Sequence, residues 1–474
     1  MSQRSLRTIL ACCPLFALTV VSSVDAHPAE ELLRIEPNVA GNGDQFGQSI
    51  AIADAFLVIG SPGDDDAGSN TGTVTIVWPD PFTGLPASSN LVTPAGINVD
   101  AYFGMNVAAD GNTFAVSAPH AFNGAMSPVG KVFVFTADSG TGVVTMQASF
   151  QPAGLSPSDM YGFDIDLVGD TLVVGAPGRS GNEGSIWVYE RTADDWDSGV
   201  EFQCPHGEEG NHFGWSVAIN HEDESKMIVG APWDYDAGTD SGRVFYLEKA
   251  STVWLNTAEI DQGDLGVTTM NLGSELDYDG DHMAIGEPLN ERIHVMGWTS
   301  SVPLWGLVDT IAPTTTASTN YFGEAFALEG ELLAAGVRFS NLNGAHSGAA
   351  YLFRLTDSNE WVQLAELEDS IGAASWAMGR GIAMLGEILL IGSNAAESDS
   401  VANAGVALGF DVSSTPGCPS DVVMTGEVDD ADVLDLLSSW GPCGGGSCPG
   451  DHDDNGMIDV VDLLILVADW GSCG

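Results

Sequence analysis

The sequence predicts an all-β fold, a seven-bladed β-propeller, followed by a small α-helical module of duplicated loop–helix units. Two observations predict the propeller. A motif that opens on Phe-Gly and closes on Gly-Ala-Pro recurs in seven units, and each unit has room for four short strands. A third observation predicts the tail: beyond residue 412 the period changes, and every landmark recurs 30 residues later.

The elements follow in chain order. Arg4 and Arg7 precede an apolar run from Ile9 to Val21, and Val24-Asp25-Ala26 supplies small residues for cleavage after Ala26. That is a secretory signal pattern over residues 1–26, and its apolar run is shorter than the roughly 20 residues a spanning helix needs. The expected location is therefore secreted, extracellular or at the cell surface, with the periplasm as the other compartment. Export also permits disulfides.

Residues 27–412 carry the blades. Phe46-Gly47 leads to Gly60-Ser61-Pro62, Phe103-Gly104 to Ser117-Ala118-Pro119, and Tyr161-Gly162 to Gly175-Ala176-Pro177. Then come Phe213-Gly214 to Gly230-Ala231-Pro232, Leu272-Gly273 to Gly286-Glu287-Pro288, Phe322-Gly323 to Gly336, and Met378-Gly379 to Gly392-Ser393. Successive units start 50 to 59 residues apart. Ser49–Ile52 and Phe56–Ile59 are short β-branched and aromatic runs joined by tight turns, and a third strand follows a Gly-rich loop at Gly72, Gly130, Gly184 and Gly242. Trp254–Ile260 and Trp361–Leu367 read as fourth strands. One four-stranded sheet of this length cannot bury both faces alone, so the units must pack on one another. The last unit ends after its third strand, Gly405–Val412, and Glu31–Glu36 resembles a fourth strand, so residues 31–36 are expected to close the ring.

These Phe-Gly and Gly-Ala-Pro signatures resemble the FG-GAP repeat family, found in the propeller of integrin α-subunits and in many bacterial surface proteins. The resemblance covers residues 32–412 and implies a seven-bladed ring.

The chain's 474 residues hold 66 Asp+Glu against 13 Lys+Arg, a formal charge of -53. Such a balance excludes tracking a phosphate backbone or an anionic membrane by electrostatics. Hydrophobic residues at 44 % exclude a solvated disordered chain. Excess acid suits a salt-rich or divalent-cation-rich exterior.

Candidate sites on the ring are few. FG-GAP relatives often carry a nine-residue acidic calcium loop between the two motifs, but that window is mostly a tight turn here. Asn220–Glu224 and Asp277–Asp281 are longer without the full spacing. Asp64 and Asp66 follow Pro62 at the same offsets as Asp234 and Asp236 follow Pro232, and each pair reads either as a cation site or as a solvated Asx turn. His120 and His212 flank rim loops. Trp233 and Tyr235 offer stacking surfaces or blade packing. No His-Glu-x-x-His, no Gly-x-Ser-x-Gly elbow and no other catalytic constellation is present. Cys204 reads as a buried thiol.

Residues 413–417 are a linker, and 418–474 form the tail. Its second copy places Asp451, Asp453, Asn455, Asp459 and Asp462 at positions 1, 3, 5, 9 and 12 of a loop, with Gly456 at 6 and the Met457 carbonyl at 7. Oxygen donors at those positions, followed by an apolar helical pattern, suit a Ca2+ loop. The first copy keeps Asp421, Asp429 and Asp432 but has Val423 at position 3, which supplies no side-chain ligand, so that site should be weak or empty. The duplicated loop–helix resembles a type I dockerin, a calcium-dependent plug for cohesin modules. Where that family carries a Ser-Thr recognition pair, this chain has Asp430-Ala431 and Val460-Val461. Cys418, Cys443, Cys448 and Cys473 are placed to staple the module. Pairing Cys418 with Cys443 and Cys448 with Cys473 would tie each copy, for about 3 kcal/mol apiece, although four cysteines allow three connectivities.

The sequence thus predicts an exported, non-enzymatic binding or adhesion protein. Its propeller loops would hold an extracellular protein or glycan, and its tail would attach to a protein partner through calcium. The alternative is a component of extracellular polysaccharide degradation, or a hydrolase whose active site on the propeller has no recognised motif. Carboxyls or histidines converging in one pocket would distinguish the two.

Overall fold

Short runs of β-branched and aromatic residues, separated by tight turns, leave this chain few ways to satisfy its backbone except antiparallel hairpins. The computed structural model of the protein describes residues 31, 33–79, 86–124, 127–192, 195–235, 241–299, 304–313, 321–341, 345–356, 359–371, 376–386, 388–398 and 401–412. From the tail it describes 427–428, 433, 436–437, 441–442, 457–458, 463 and 471–472. Seven antiparallel sheets form seven blades. In the first, Ile50–Ala53, Phe56–Ser61, Thr73–Pro79 and Pro86–Val92 lie side by side in chain order. In the third, the outer position is split between Asp195–Trp196 and Val200–Gln203, both paired with Ser185–Thr192.

The inner strands of the other blades are Val107–Asp110, Ile165–Val168, Val217–Asn220, Leu276–Asp279, Phe326–Glu329 and Met378–Leu385. Each lies beside the inner strands of its two neighbours, and that of blade seven lies beside that of blade one, so the ring is closed. Leu33–Ile35 supplies the fourth strand of blade seven, with Leu33 opposite Gly409 and Ile35 opposite Ala407.

There is no single core. Seven buried apolar clusters occupy the seven joints between blades. At the first joint Phe56, Val58 and Trp78 of blade one meet Phe103, Phe114 and Phe133 of blade two. The closing joint is the leanest, built on Ile35, Phe46, Ile50, Ile59, Val77, Leu390 and Ala407. Each sheet therefore buries both faces only because its neighbours are present.

The two recurring motifs are opposite halves of one lock. The residue at the Phe position (Phe46, Phe103, Tyr161, Phe213, Leu272, Phe322 and Met378) is fully buried in every unit. Phe46, Phe213, Leu272 and Met378 pair in parallel with the Gly that opens the third strand of the preceding blade, at Gly405, Gly184, Gly242 and Gly348. The next residue, a Gly at positive φ, backs onto the Gly of the preceding Gly-Ala-Pro motif in six units and onto Ser117 in the third. A Cβ on Gly60 would collide with the Gly104 carbonyl, and one on Gly392 with the Gly47 carbonyl across the closing joint. Neither obstacle is a movable side chain, so these two positions require glycine, whereas the joint behind Gly162 admits Ser117.

In the tail, Glu427–Val428 pairs with Gly471–Ser472, and Gly441–Pro442 pairs with Met457–Ile458. Each copy's loop thus pairs with the segment that ends the other copy. Val433, Leu436, Leu437 and Leu463 are helical, and Leu436 and Ile458 are buried. No helix among the described residues is long and apolar enough to cross a membrane.

Candidate binding site in the axial channel

A strand that borders a channel has one unpaired edge, and its N–H groups need acceptors. The chain supplies them with side chains from the preceding blade. Asp110 accepts from Gly169 N at 2.6 Å, Asp164 from Val217 N at 2.8 Å, and Asp166 from Ile219 N at 2.6 Å. Asp277 accepts from Leu328 N at 2.7 Å, Asp279 from Gly330 N at 2.5 Å, and Glu329 from Gly386 N at 2.7 Å. Four of the seven joints are stapled this way. Elsewhere neutral groups bridge: Ser49 donates to the Gly104 carbonyl, Ser216 to that of Gly273, and Asn394 to the Gln48 side chain.

These staples leave an acidic channel. A cavity of about 770 Å³ opens at the end carrying the loops that follow the Gly-Ala-Pro motifs. Asp164, Asp166, Glu275, Asp277 and Glu324 line it, against one Arg, Arg380, and two imidazoles, His221 and His120. His221 Nε2 stands 3.5 Å from Asp277, and Arg380 3.5 Å from Glu324, which also pairs with Arg338 at 2.8 Å. Phe163, Trp215, Trp233 and Tyr321 add aromatic faces to the lining. Trp215 lies 4.4 Å from Trp233 and 4.3 Å from Phe163, between ring centroids.

Enclosure of so many acids has an electrostatic consequence. Burial pushes Asp164 up to about 7 despite N–H donors from Val217 and Ile165, and Asp277 up to about 6 despite His221. Burial, reinforced by Asp164, holds Glu275 well above the usual carboxylate range. Burial alone would disfavour the His221 cation, but Asp277 and Asp166 outweigh it and raise that group.

Of the residues singled out from the sequence, His120, Trp233, and His221 and Asp277 of the two longer windows line the cavity; the others lie elsewhere or play smaller parts. Asp64 accepts from Thr73 Oγ1 at 2.8 Å and from Asp66 N at 2.9 Å, closing an Asx turn on its own loop. Asp234 is fully buried, with Asn211 Nδ2 at 3.1 Å and Arg243 Nε at 3.5 Å; Asp236 lies outside the described residues. His212 packs against Trp233, and burial lowers it. Tyr235 is half exposed, and Cys204 is a buried free thiol raised by that burial. Of the tail's calcium ligands only Met457 is described, in the strand opposite Pro442. Asp451, Asp453, Asn455, Asp459, Asp462, Asp421, Asp429, Asp432 and the four tail cysteines lie outside the described residues, as does the segment 1–26. Among the described residues no three His, Cys, Asp or Glu side chains gather as a metal site.

Sequence reasoning missed Asp164, Asp166, Glu275 and Glu324, and reached Asp277 only as the first residue of the Asp277–Asp281 window. The signal was present in the repeat itself. Where Ser49-Ile50-Ala51 and Ser216-Val217-Ala218 are small and neutral, the matching positions read Asp164-Ile165-Asp166 and Glu275-Leu276-Asp277. Alternation on an inner strand turns both acids toward the following blade.

The fold and the site define a seven-bladed propeller with an acidic, aromatic-mouthed axial channel. Residues 30–76, 144–189 and 196–247 match the family model described as the FG-GAP repeat. No curated protein matches the chain. Among solved structures, a protein from Lactobacillus plantarum is 14% identical, with a TM-score of 0.46, covering 72% of this chain and 89% of its own. A candidate 6-phosphogluconolactonase from Bacteroides uniformis is 13% identical, with a TM-score of 0.46, covering 71% and 88%.

Proposed function

We propose that this chain is an exported binding protein that takes an extracellular ligand at the mouth of its axial channel and attaches to a protein partner through its calcium-dependent tail. The observation that carries the binding reading is the channel lining, in which the Phe163–Trp215–Trp233 aromatic cluster stands beside Asp164, Glu275 and Asp277. Aromatic faces with a few convergent polar groups are the usual make-up of a ligand pocket. The tail reading rests on the oxygen pattern from Asp451 to Asp462. The test is capture of surface-extract components by the full chain. Trp215→Ala should abolish ligand capture, Asp451→Ala should abolish the calcium-dependent partner, and each should leave the other intact. Capture indifferent to both substitutions defeats the proposal.

A hydrolase is the second reading, favoured by one observation: Asp164 and Asp277, with raised proton affinities, face the same cavity. Turnover of chromogenic glycosides that disappears in both Asp164→Asn and Asp277→Asn would establish it. Both carboxylates already accept two backbone N–H groups, which favours a structural use over acid–base work.

A further inference from the structure

The channel's charge is unbalanced in a way that specifies what should enter it. Five acidic side chains line the cavity against Arg380, whose guanidinium is already directed at Glu324, and His221, which stands beside Asp277. Asp164, Asp166 and Asp277 keep their backbone donors, and His221 partly offsets the charge of Asp166 and Asp277. Glu275 differs. It lines the cavity partly exposed, holds no hydrogen bond or salt bridge among the described residues, and meets Arg380 through charge alone. A part-exposed acid of that kind keeps acceptor capacity for a donor that enters the cavity. A compact metal ion is a poor candidate, because no three ligating groups converge among the described residues. A longer cation, with nitrogens spaced along an apolar stem, can reach separated carboxylates in turn. The aromatic mouth suits the same ligand, since Trp215, Trp233 and Phe163 can pack its stem and face its charge.

We infer that the axial channel binds an organic cation, an ammonium or guanidinium group on an aliphatic stem, with Glu275 as its principal acceptor and the Trp215–Trp233 pair as its collar. This deepens the binding reading and rests on it. The shared chemistry has two sources, a free polyamine or a basic side chain of a peptide, and the probes separate them.

The test is calorimetric titration of the full chain, saturated with Ca2+, against spermine, against the peptide Gly-Lys-Gly and against 1,5-pentanediol as a neutral stem. The expected result is one site per chain for one or both cations and none for the diol. Glu275→Gln should weaken that site at least tenfold, while Arg380→Gln, which removes a competing cation, should tighten it several-fold. A melting curve for each variant verifies folding, and Asp138→Asn on an exposed turn should change nothing. Binding of several equivalents of spermine with no response to Glu275→Gln would mean diffuse attraction to an acidic surface and would overturn the inference. If neither cation binds but a neutral oligosaccharide does, with loss in Trp215→Ala, the binding reading survives and the cation falls.

Discussion

The Arg34 guanidinium, on the strand that closes the ring, donates to the Asp369 carboxylate at 2.9 Å, and both side chains are buried. Arg34 also faces Glu31 at 3.3 Å and Glu36 at 3.6 Å, and lies over the Trp376 ring. Glu31 in turn accepts from the Ser370 backbone and hydroxyl. The closing strand is thus held by blade seven through its ladder and by the loop after blade six through its charges. Because the closing joint has the leanest apolar cluster, these polar contacts carry an unusual share of the closure.

Replacing Arg34 with Ala leaves three carboxylates facing one another in a buried site. The expected loss is about 3–5 kcal/mol, the range for breaking a buried pair from one side. Urea denaturation of the variant checks it. The double variant Arg34→Ala with Asp369→Ala should recover part of the loss, and no recovery would mean the pair is not coupled.

The lock between blades makes a sharper contrast. Gly392→Ala puts a methyl into the Gly47 carbonyl across the closing joint and should cost about 1–3 kcal/mol, as overpacking does. Gly306→Ala, in an outer strand with open space at its Cβ, should be neutral or slightly stabilising. Equal effects in a thermal melt would contradict the joint as described.

The channel acids set a pH dependence of definite sign. Asp164 and Asp277 are raised from 3.8 to about 7 and about 6, so the folded state disfavours their ionised forms. Their contribution to stability is fully present below the unfolded value and is lost as pH rises through about 6 to 7. Melting temperature should therefore fall between pH 5 and pH 8, and Asp164→Asn should flatten the slope. A bound cation would hold the acids ionised, so affinity for it should rise over the same interval.

Calcium in the tail should follow the ligand count. The second loop offers five side-chain oxygen donors, whereas Val423 interrupts the first. Titration of the chelator-treated chain should find one tight site. Asp462→Ala, removing the position-12 carboxylate, should abolish it, and two equal sites would contradict the degenerate reading of the first copy.

The seven blades were legible because each unit repeats the same physical problem: a Phe position to bury and, next to it, a positive-φ glycine set against the neighbouring blade. The same regularity hid the site. Consensus positions describe joints, and the channel is built from departures at those positions, Asp164 and Glu275 in place of serine, Asp166 and Asp277 in place of alanine. Glu287 is a similar departure. It replaces the alanine of Gly-Ala-Pro, is fully buried, and meets His294 at 2.8 Å and Arg292 at 3.0 Å, partners no local pattern announces. Charge helped only in aggregate. The excess of acid was visible in the composition, but its use as acceptors for the next blade's N–H groups depends on which strand edge faces the channel.

The most direct measurement of where the propeller takes its ligand is hydroxyl-radical footprinting of the full chain with and without spermine, read residue by residue by mass spectrometry. Binding at the channel mouth should protect Trp215 and Trp233 and leave Tyr235, outside the cavity lining, unchanged. Protection at Tyr235 or along the outer strands, with Trp215 and Trp233 unchanged, would place the ligand away from the channel and contradict it.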